Sequence, residues 1–342
     1  MLKNTEQIKE LTVDPNRLFY SATHEEIVTA ATTDVYFVKT HEILDKMNLN
    51  DVEITAEIFA RKKAMLAGIG EVVNLLKDLD IKLWAMDEGT WFEEKEPVVR
   101  IQGRYQDFGV YETAILGMLA SSTGWATAAA EVKVACEGKP FFSFGARHVH
   151  PSVAPVMERA AIIGGATGAS CILGAKLADK EPVGTVPHAI FLVVGDTLKV
   201  AQAYDEIMPP DALRLVLVDT FKDEAEETLR IAREMNKKLD GIRLDTPSER
   251  GGVTPGLIKE IRARLDMEGF EHIQIFVSGG LTPERIPILS KAGANAFGVG
   301  SYISGARAID MTMDIKEING KPIAKRGRIP GITYTDNLKQ IK

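Results

Sequence analysis

The chain has 342 residues, 45% of them hydrophobic and 26% charged, a balance that excludes the disordered and fibrous classes and allows one large or two medium globular domains. Lys and Arg number 41 against 48 Asp and Glu, a formal net charge of −7. No overall basic field therefore exists to draw nucleic acid or an anionic membrane, and an anionic ligand needs a local positive site.

The opening, MLKNTEQIKE, is polar with no secretory apolar core, which makes the cytoplasm the expected location. Residues 51–59, DVEITAEIF, alternate Val52, Ile54 and Ala56 with acidic neighbours, the period-2 pattern of a strand with one wet face. Residues 64–79 then place Met65, Ile69, Val72, Val73, Leu76 and Leu79 at spacings of three and four, a helix lying on that sheet. Short strands are predicted at 82–86 and 98–102, separated by a turn-rich stretch, and a helix opens at 111–119. Up to about residue 120 the chain reads as an α+β module.

From 121 to 305 the rhythm changes: short apolar runs at 141–144, 213–218, 241–244, 273–277 and 296–299, with a weaker one near Gly184, alternate with helical patterns at 223–238, 254–267 and 283–292. Strands apolar on both faces and separated by helices are parallel strands covered by helices or closed into a barrel. The polar residues cluster directly after the strands, where α/β barrels assemble their active sites, so a closed barrel is preferred. The small-residue stretch 160–178, with four glycines and Lys176, reads as a buried helix and not a membrane span. Cys136 and Cys171, the two cysteines, are too few for a disulfide framework and read as buried thiols in a reducing compartment. Beyond residue 305, Asn319-Gly320 between two alternating segments marks a hairpin; this tail rejoins the first module's sheet or packs on the barrel.

Four groups of residues carry chemistry. In IFVSGGLTP, a strand runs through Ser278 into Gly279 and Gly280 before a helix, and Gly298 and Gly300 repeat the arrangement in FGVGS. Glycine lets backbone N–H groups approach a phosphate, and a helix N-terminus adds partial positive charge; the same glycines would also serve as caps and turns. Asp219 and Asp245 follow apolar runs directly, at the rim where a carboxylate can hold Mg²⁺ or sugar hydroxyls. Arg243, two residues before Asp245, shares its face of the strand; the pair suits a phosphorylated sugar or, alternatively, an ion pair that ties strands together. His148, His150 and His188 fall in strand-end segments, and His188, beyond Gly184, Thr185 and Pro187, is presented by a loop as an acid, base or nucleophile. His148 and His150 have a spacing open to metal ligation, but no third soft ligand lies nearby.

In order, TTDVYFVKTH, DEGTWFEEKEPVVRIQGRYQDFGVYETAILGMLA, SFGARHVHP, GTVPHAI, LVLVDTF, GIRLDTPSERGG, IFVSGGLTP and FGVGSYI resemble the nicotinate phosphoribosyltransferase family of archaeal type, over about residues 30–330. The resemblance implies an α/β barrel, TIM-like or an irregular variant, over 121–305, joined to an α+β open sandwich built from both chain ends, 1–120 and 306–342. It implies transfer of nicotinate onto 5-phosphoribosyl-1-pyrophosphate (PRPP), giving nicotinate mononucleotide and pyrophosphate in NAD salvage, with Mg²⁺ as cofactor and ATP as co-substrate. By the same resemblance Phe144 stacks on the pyridine ring, Arg147 meets substrate carboxylate or phosphate, and His188 is phosphorylated from ATP. Asp219 and Asp245, beside Arg243, contact ribose and Mg²⁺-pyrophosphate; Gly279, Gly280, Gly298 and Gly300 hold the 5-phosphate. Tyr36 covers the base from a neighbouring subunit, so a homodimer or higher oligomer with shared active sites is expected. The sequence lacks a cysteine-rich zinc-binding tail, and no structural zinc is expected. Thr246-Pro247-Ser248 stands where many relatives continue Ser-Gly-Asp, so no second carboxylate is available there. Quinolinate and nicotinamide phosphoribosyltransferases, and a non-catalytic nucleotide sensor, are the competing readings.

Overall fold

The computed structural model describes residues 1–342, which divide into two compact units, Met1–Thr127 with Arg307–Lys342, and Ala128–Ala306.

The first unit is built on a six-stranded antiparallel sheet in the order Lys321–Pro322, Met311–Ile318, Glu53–Ala60, Pro97–Arg104, Ile81–Ala85, Lys339–Gln340. The chain's last segment does rejoin this sheet, through a turn in which Asn319 and Gly320 have φ of 49° and 72°, the paired positive values a two-residue hairpin needs. Contrary to the expected wet face, Glu53–Ala60 is buried from Ile54 to Ala60. Its polar side is satisfied internally: Glu57 accepts from Arg100 Nε and Nη2 at 2.9 and 2.7 Å and from the Thr333 backbone N–H at 3.0 Å. The helix expected over 64–79 is confined to Ile69–Leu76, because Ala64–Met65 pairs as a strand with Trp91–Phe92. Gly68 caps that helix at φ +95°, and a Cβ there would stand 2.7 Å from the Met118 carbonyl oxygen.

The second unit holds a six-stranded parallel sheet in the order Gly168–Ala169, Phe141–Ser143, Ala296–Val299, Gln274–Ser278, Gly241–Leu244, Leu215–Leu217. Helices Glu224–Met235, Pro255–Met267 and Ile286–Ala292 alternate with the strands and bury their apolar faces. The sheet is barrel-like but stays unpaired between Gly168–Ala169 and Leu215–Leu217. The run near Gly184 is no strand: Pro182 and Pro187 cannot donate to a ladder, and one bond, Val183 N–H to the Ala169 carbonyl at 2.9 Å, attaches it to the sheet edge.

The 160–178 stretch is not one helix. Helix Ala154–Ile163 stops at Gly164-Gly165, where Gly165 takes φ +107°, and a short strand, Gly168–Ala169, precedes a second helix, Ile172–Lys176. No helix is long and apolar enough to cross a membrane. Both cysteines are free; burial pushes the Cys136 thiol up to about 11, whereas Cys171 is only half-buried.

Candidate active site

The C-terminal ends of the parallel strands in the second unit surround a cavity of about 400 Å³. Five of the six strands exit into different parts of its wall, and Leu215–Leu217 does not reach it. Phe141–Ser143 delivers Phe144 and the short 3₁₀ turn Ala146–His148 with Arg147; Gly168–Ala169 delivers Ser170. Gly241–Leu244 carries Arg243 and releases Asp245, Gln274–Ser278 ends at Ser278 with Gly279 and Gly280, and Ala296–Val299 contributes Gly298, Gly300 and Ser301. The proline-interrupted segment supplies Thr185 and His188.

Arg243 is the hub of this wall. Its Nε donates to Ser278 Oγ at 2.9 Å, Nη1 to Thr185 Oγ1 at 2.9 Å and Nη2 to Asp245 Oδ2 at 3.0 Å, while Ser278 Oγ donates to Asp245 Oδ1 at 2.9 Å. Every arm of the guanidinium is therefore aimed. Its carbon also lies 5.4 Å from the centre of the Phe144 ring, a cation–π distance, and Phe276 stacks on that ring at 6.0 Å and 21°. Burial lowers the Arg243 pKa, and Asp245 opposes the shift; at any ordinary pH it stays charged.

Arg147 contrasts with it. The side chain is exposed and makes no ion pair, and Arg147 and Arg243 are the two Arg or Lys residues in the wall. His148 also lines the cavity, its Nδ1 3.1 Å from Ser304 Oγ, while His150 turns to Ser152 Oγ at 2.6 Å and lies outside it. The two histidines do not converge, and no cluster of three or more His, Cys, Asp or Glu side chains gathers as a metal cage.

His188 opens helix His188–Val194 and is 40% exposed, with Nε2 3.2 Å from Asp219 Oδ1. The side chain of Asp219, expected at the rim, is fully buried and absent from the cavity wall; its Oδ2 has no hydrogen-bond partner. Burial raises its pKa, with His188 opposing the shift and Asp245 adding to it. Asp219 thus addresses the imidazole, and Asp245 is the one carboxylate that faces the cavity.

The glycines divide by function. Gly279 and Gly280 take φ of +90° and +58°, which only glycine adopts freely in succession. The next helix, expected immediately after them, begins at Ile286, and Arg285 at its cap donates to the Gly280 carbonyl at 2.9 Å. Gly298 makes room for an aromatic ring: a Cβ there would lie 2.5 Å from Phe144 Cε2. A Cβ on Gly300 would lie 2.9 Å from His148 Cε1. Tyr36 is outside this set; it lies exposed on helix Val35–Lys46 of the first unit, its ring 4.3 Å from that of Phe37. Ser170 and Ser301 enter the wall without a signal in the sequence, Ser170 because the small-residue composition around it predicts a helix where strand Gly168–Ala169 delivers it.

Known proteins bear on this geometry. "Quinolinate phosphoribosyl transferase, N-terminal domain" matches residues 34–123, and the C-terminal domain of the same family matches residues 125–314. A crystal structure of nicotinate-nucleotide pyrophosphorylase from Pyrococcus furiosus is 44% identical, covers 92% of this chain and 82% of its own, and superimposes with a TM-score of 0.89. Human nicotinic acid phosphoribosyltransferase, at 15% identity and a TM-score of 0.70 over 88% of this chain and 77% of its own, shares the fold. Among curated relatives, a nicotinate phosphoribosyltransferase of Mycobacterium tuberculosis is 29% identical over 246 residues, 70% of this chain and 52% of the relative; one from Bacillus subtilis is 29% identical over 64% of this chain and 45% of its own. The chain spans about half the length of these curated relatives. With both domain descriptions matched in order, the second over more than half of the sequence, and the parallel-strand cavity inside that second match, the chain belongs to the quinolinate phosphoribosyl transferase family.

Proposed function

We propose that this protein transfers the 5-phosphoribosyl group of PRPP to nicotinate, giving nicotinate mononucleotide and pyrophosphate, with ATP assisting through a phosphorylated His188. The observation that carries the choice of acceptor is the charge inventory of the cavity: of its two guanidiniums, Arg243 is engaged by Asp245, and Arg147 alone is left for a substrate carboxylate. One unpaired cation beside the Phe144 ring suits a monocarboxylate pyridine, with the ring stacked and the carboxylate paired. Quinolinate, a dicarboxylate, would need a second cation; His148 and His188, when protonated, are what would favour that second reading.

In the proposed reaction the pyridine nitrogen attacks the anomeric carbon as the bond to pyrophosphate breaks and its electrons leave with pyrophosphate. Asp245, held by Arg243 and Ser278, offers a fixed carboxylate to the positive charge that builds on the ribose. The tandem positive-φ turn at Gly279-Gly280 would receive the 5-phosphate. Mg²⁺ usually binds through one or two carboxylates plus substrate phosphates, and Asp245 fits that demand where the buried Asp219 does not. When bound, the ion would neutralise the departing pyrophosphate.

Asp219 supports the histidine step. A buried carboxylate accepting from Nε2 assigns the proton to that nitrogen and leaves the Nδ1 lone pair of His188 available as a nucleophile toward phosphorus. Phosphorylation would add roughly one and a half to two negative charges to the wall, close to the Arg243 network. Tyr36, exposed on its helix, is proposed to close over the base of a second copy in a homodimer. The deciding assay supplies labelled nicotinate, nicotinamide or quinolinate with PRPP and Mg²⁺, with and without ATP. Mononucleotide from nicotinate, increased by ATP, is expected; product from quinolinate with CO₂ release and no ATP effect would overturn the reading.

A further inference from the structure

A fully buried carboxylate of the second unit belongs neither to the cavity wall nor to any ion pair. Glu158, in helix Ala154–Ile163, is fully buried. Its Oε1 accepts from Ser143 Oγ at 3.2 Å, from the backbone N–H groups of Gly145 and Ala146 at 3.0 and 3.2 Å, and from Ser170 Oγ at 3.3 Å. Its Oε2 accepts from the Cys171 backbone N–H at 2.5 Å. Burying a carboxylate is costly unless hydrogen bonds replace its water, and here every donor is neutral and comes from the end of strand Phe141–Ser143 or from one of two loops.

Those loops are the ones that shape one end of the cavity. Ser143 and Gly145 flank Phe144, Ala146 starts the turn that carries Arg147, and Ser170 is itself part of the wall. Hydrogen bonds from backbone N–H to a carboxylate are about twice as strong as neutral ones and fix direction as well as distance. A rigid helix thus clamps the loop after Phe141–Ser143 to the loop after Gly168–Ala169.

We propose that Glu158 is the positioning residue for acceptor recognition: by pinning both loops it fixes the spacing between the Phe144 ring and the Arg147 guanidinium, and so sets which aromatic acid fits. This deepens the proposed function and rests on it for the identity of the acid. The arrangement requires acceptors on both oxygens, because an amide would turn an N–H toward at least one backbone N–H donor.

The test is Glu158→Gln, equal in size and unable to accept from all five donors. The expected result is a KM for the aromatic acid raised about tenfold, the size of losing a hydrogen bond to a charged group, with the KM for PRPP within about twofold of wild type. Backbone hydrogen exchange should accelerate at Gly145, Ala146 and Cys171 while the strands keep their protection. Ser143→Ala, which removes one donor and no wall residue, should move the same quantities by about threefold, and serves if the glutamine variant does not fold. Equal loss for both substrates, or faster exchange throughout the unit, would overturn the positioning role. A wild-type enzyme that turns over no pyridine carboxylate would sink the proposed function instead, and the exchange pattern would still decide the clamp.

Discussion

Each unit contains a buried guanidinium–carboxylate pair, and the two are built to different ends. In the first, Arg100 and Glu57 lie 2.7 Å apart with side chains 16% and 2% exposed, and the remaining capacity of Glu57 goes to the Thr333 amide. In the second, Arg243 and Asp245 lie 3.0 Å apart, yet both line a cavity, stack against Phe144 or touch Ser278, and neighbour the unsatisfied oxygen of Asp219 and the free Arg147. Closed networks of this kind hold strands together; open ones keep charge in reserve for a ligand. The ion pair itself does not tell the two apart.

The largest expected effect comes from changing each arginine to lysine, which keeps the charge and loses the planar fork. Arg243→Lys should lower kcat/KM on the order of 100-fold, the scale of removing a preorganised electrostatic group, with little change in urea midpoint. Arg100→Lys should do the reverse: folding free energy down by about 2 kcal/mol, the scale of hydrogen bonds to a charged group lost with the fork, with kcat/KM of the folded fraction near wild type. Steady-state kinetics beside urea unfolding reads both; equal activity losses in the two variants would erase the distinction.

His188→Ala sharpens the open network further. Asp219 then faces no partner, and ATP-stimulated turnover should fall to the ATP-independent level, a drop of about tenfold or more if a nucleophile has been lost. Retention of full ATP stimulation would remove His188 from the reaction. A smaller change follows from Gly298→Ala. Its Cβ would press on Phe144 at 2.5 Å and Phe276 at 3.1 Å, so the KM for the aromatic acid should rise about fivefold while that for PRPP holds. Gly117→Ala, a helical glycine with nothing within 4 Å, is the control and should leave both constants alone.

How far the sequence foretells such differences depends on where the partner of each residue lies. The strands Gly241–Leu244 and Ala296–Val299 were legible as continuous apolar runs, and with them the placing of Arg243, Asp245 and Gly298. The polar face of Glu53–Ala60 was not, because what covers Glu57 is an amide 276 residues away, which no local alternation encodes. Asp219 sits where the strand-end rule puts it, but whether a carboxylate faces the cavity or the neighbouring imidazole depends on a turn whose path only the folded chain reveals. The stretch 160–178 misled because small residues suit a buried helix by composition, while Gly164-Gly165, read as part of it, is the stop.

Glu112 tests the comparison from its weak side, since it is a carboxylate of the first unit without an ion-pair partner. Burial, with Asp314 adding like charge, pushes its pKa up to about 7 from 4.5, and Asp314 is itself held by Arg328 at 2.9 Å. An acid whose folded pKa exceeds its unfolded value binds its proton more tightly when folded. Its contribution to stability is therefore fully present below pH 4.5 and lost as the pH rises through about 7. Wild-type protein should lose on the order of 2 kcal/mol between pH 5 and pH 8 from this group, allowing for its partial solvation. Glu112→Gln should flatten that slope and leave kcat/KM at pH 8 unchanged. Urea unfolding of both proteins across this range measures it. An unchanged slope would mean that Glu112 finds water or a cation in solution, and that the first unit is as fully compensated as its Arg100–Glu57 pair.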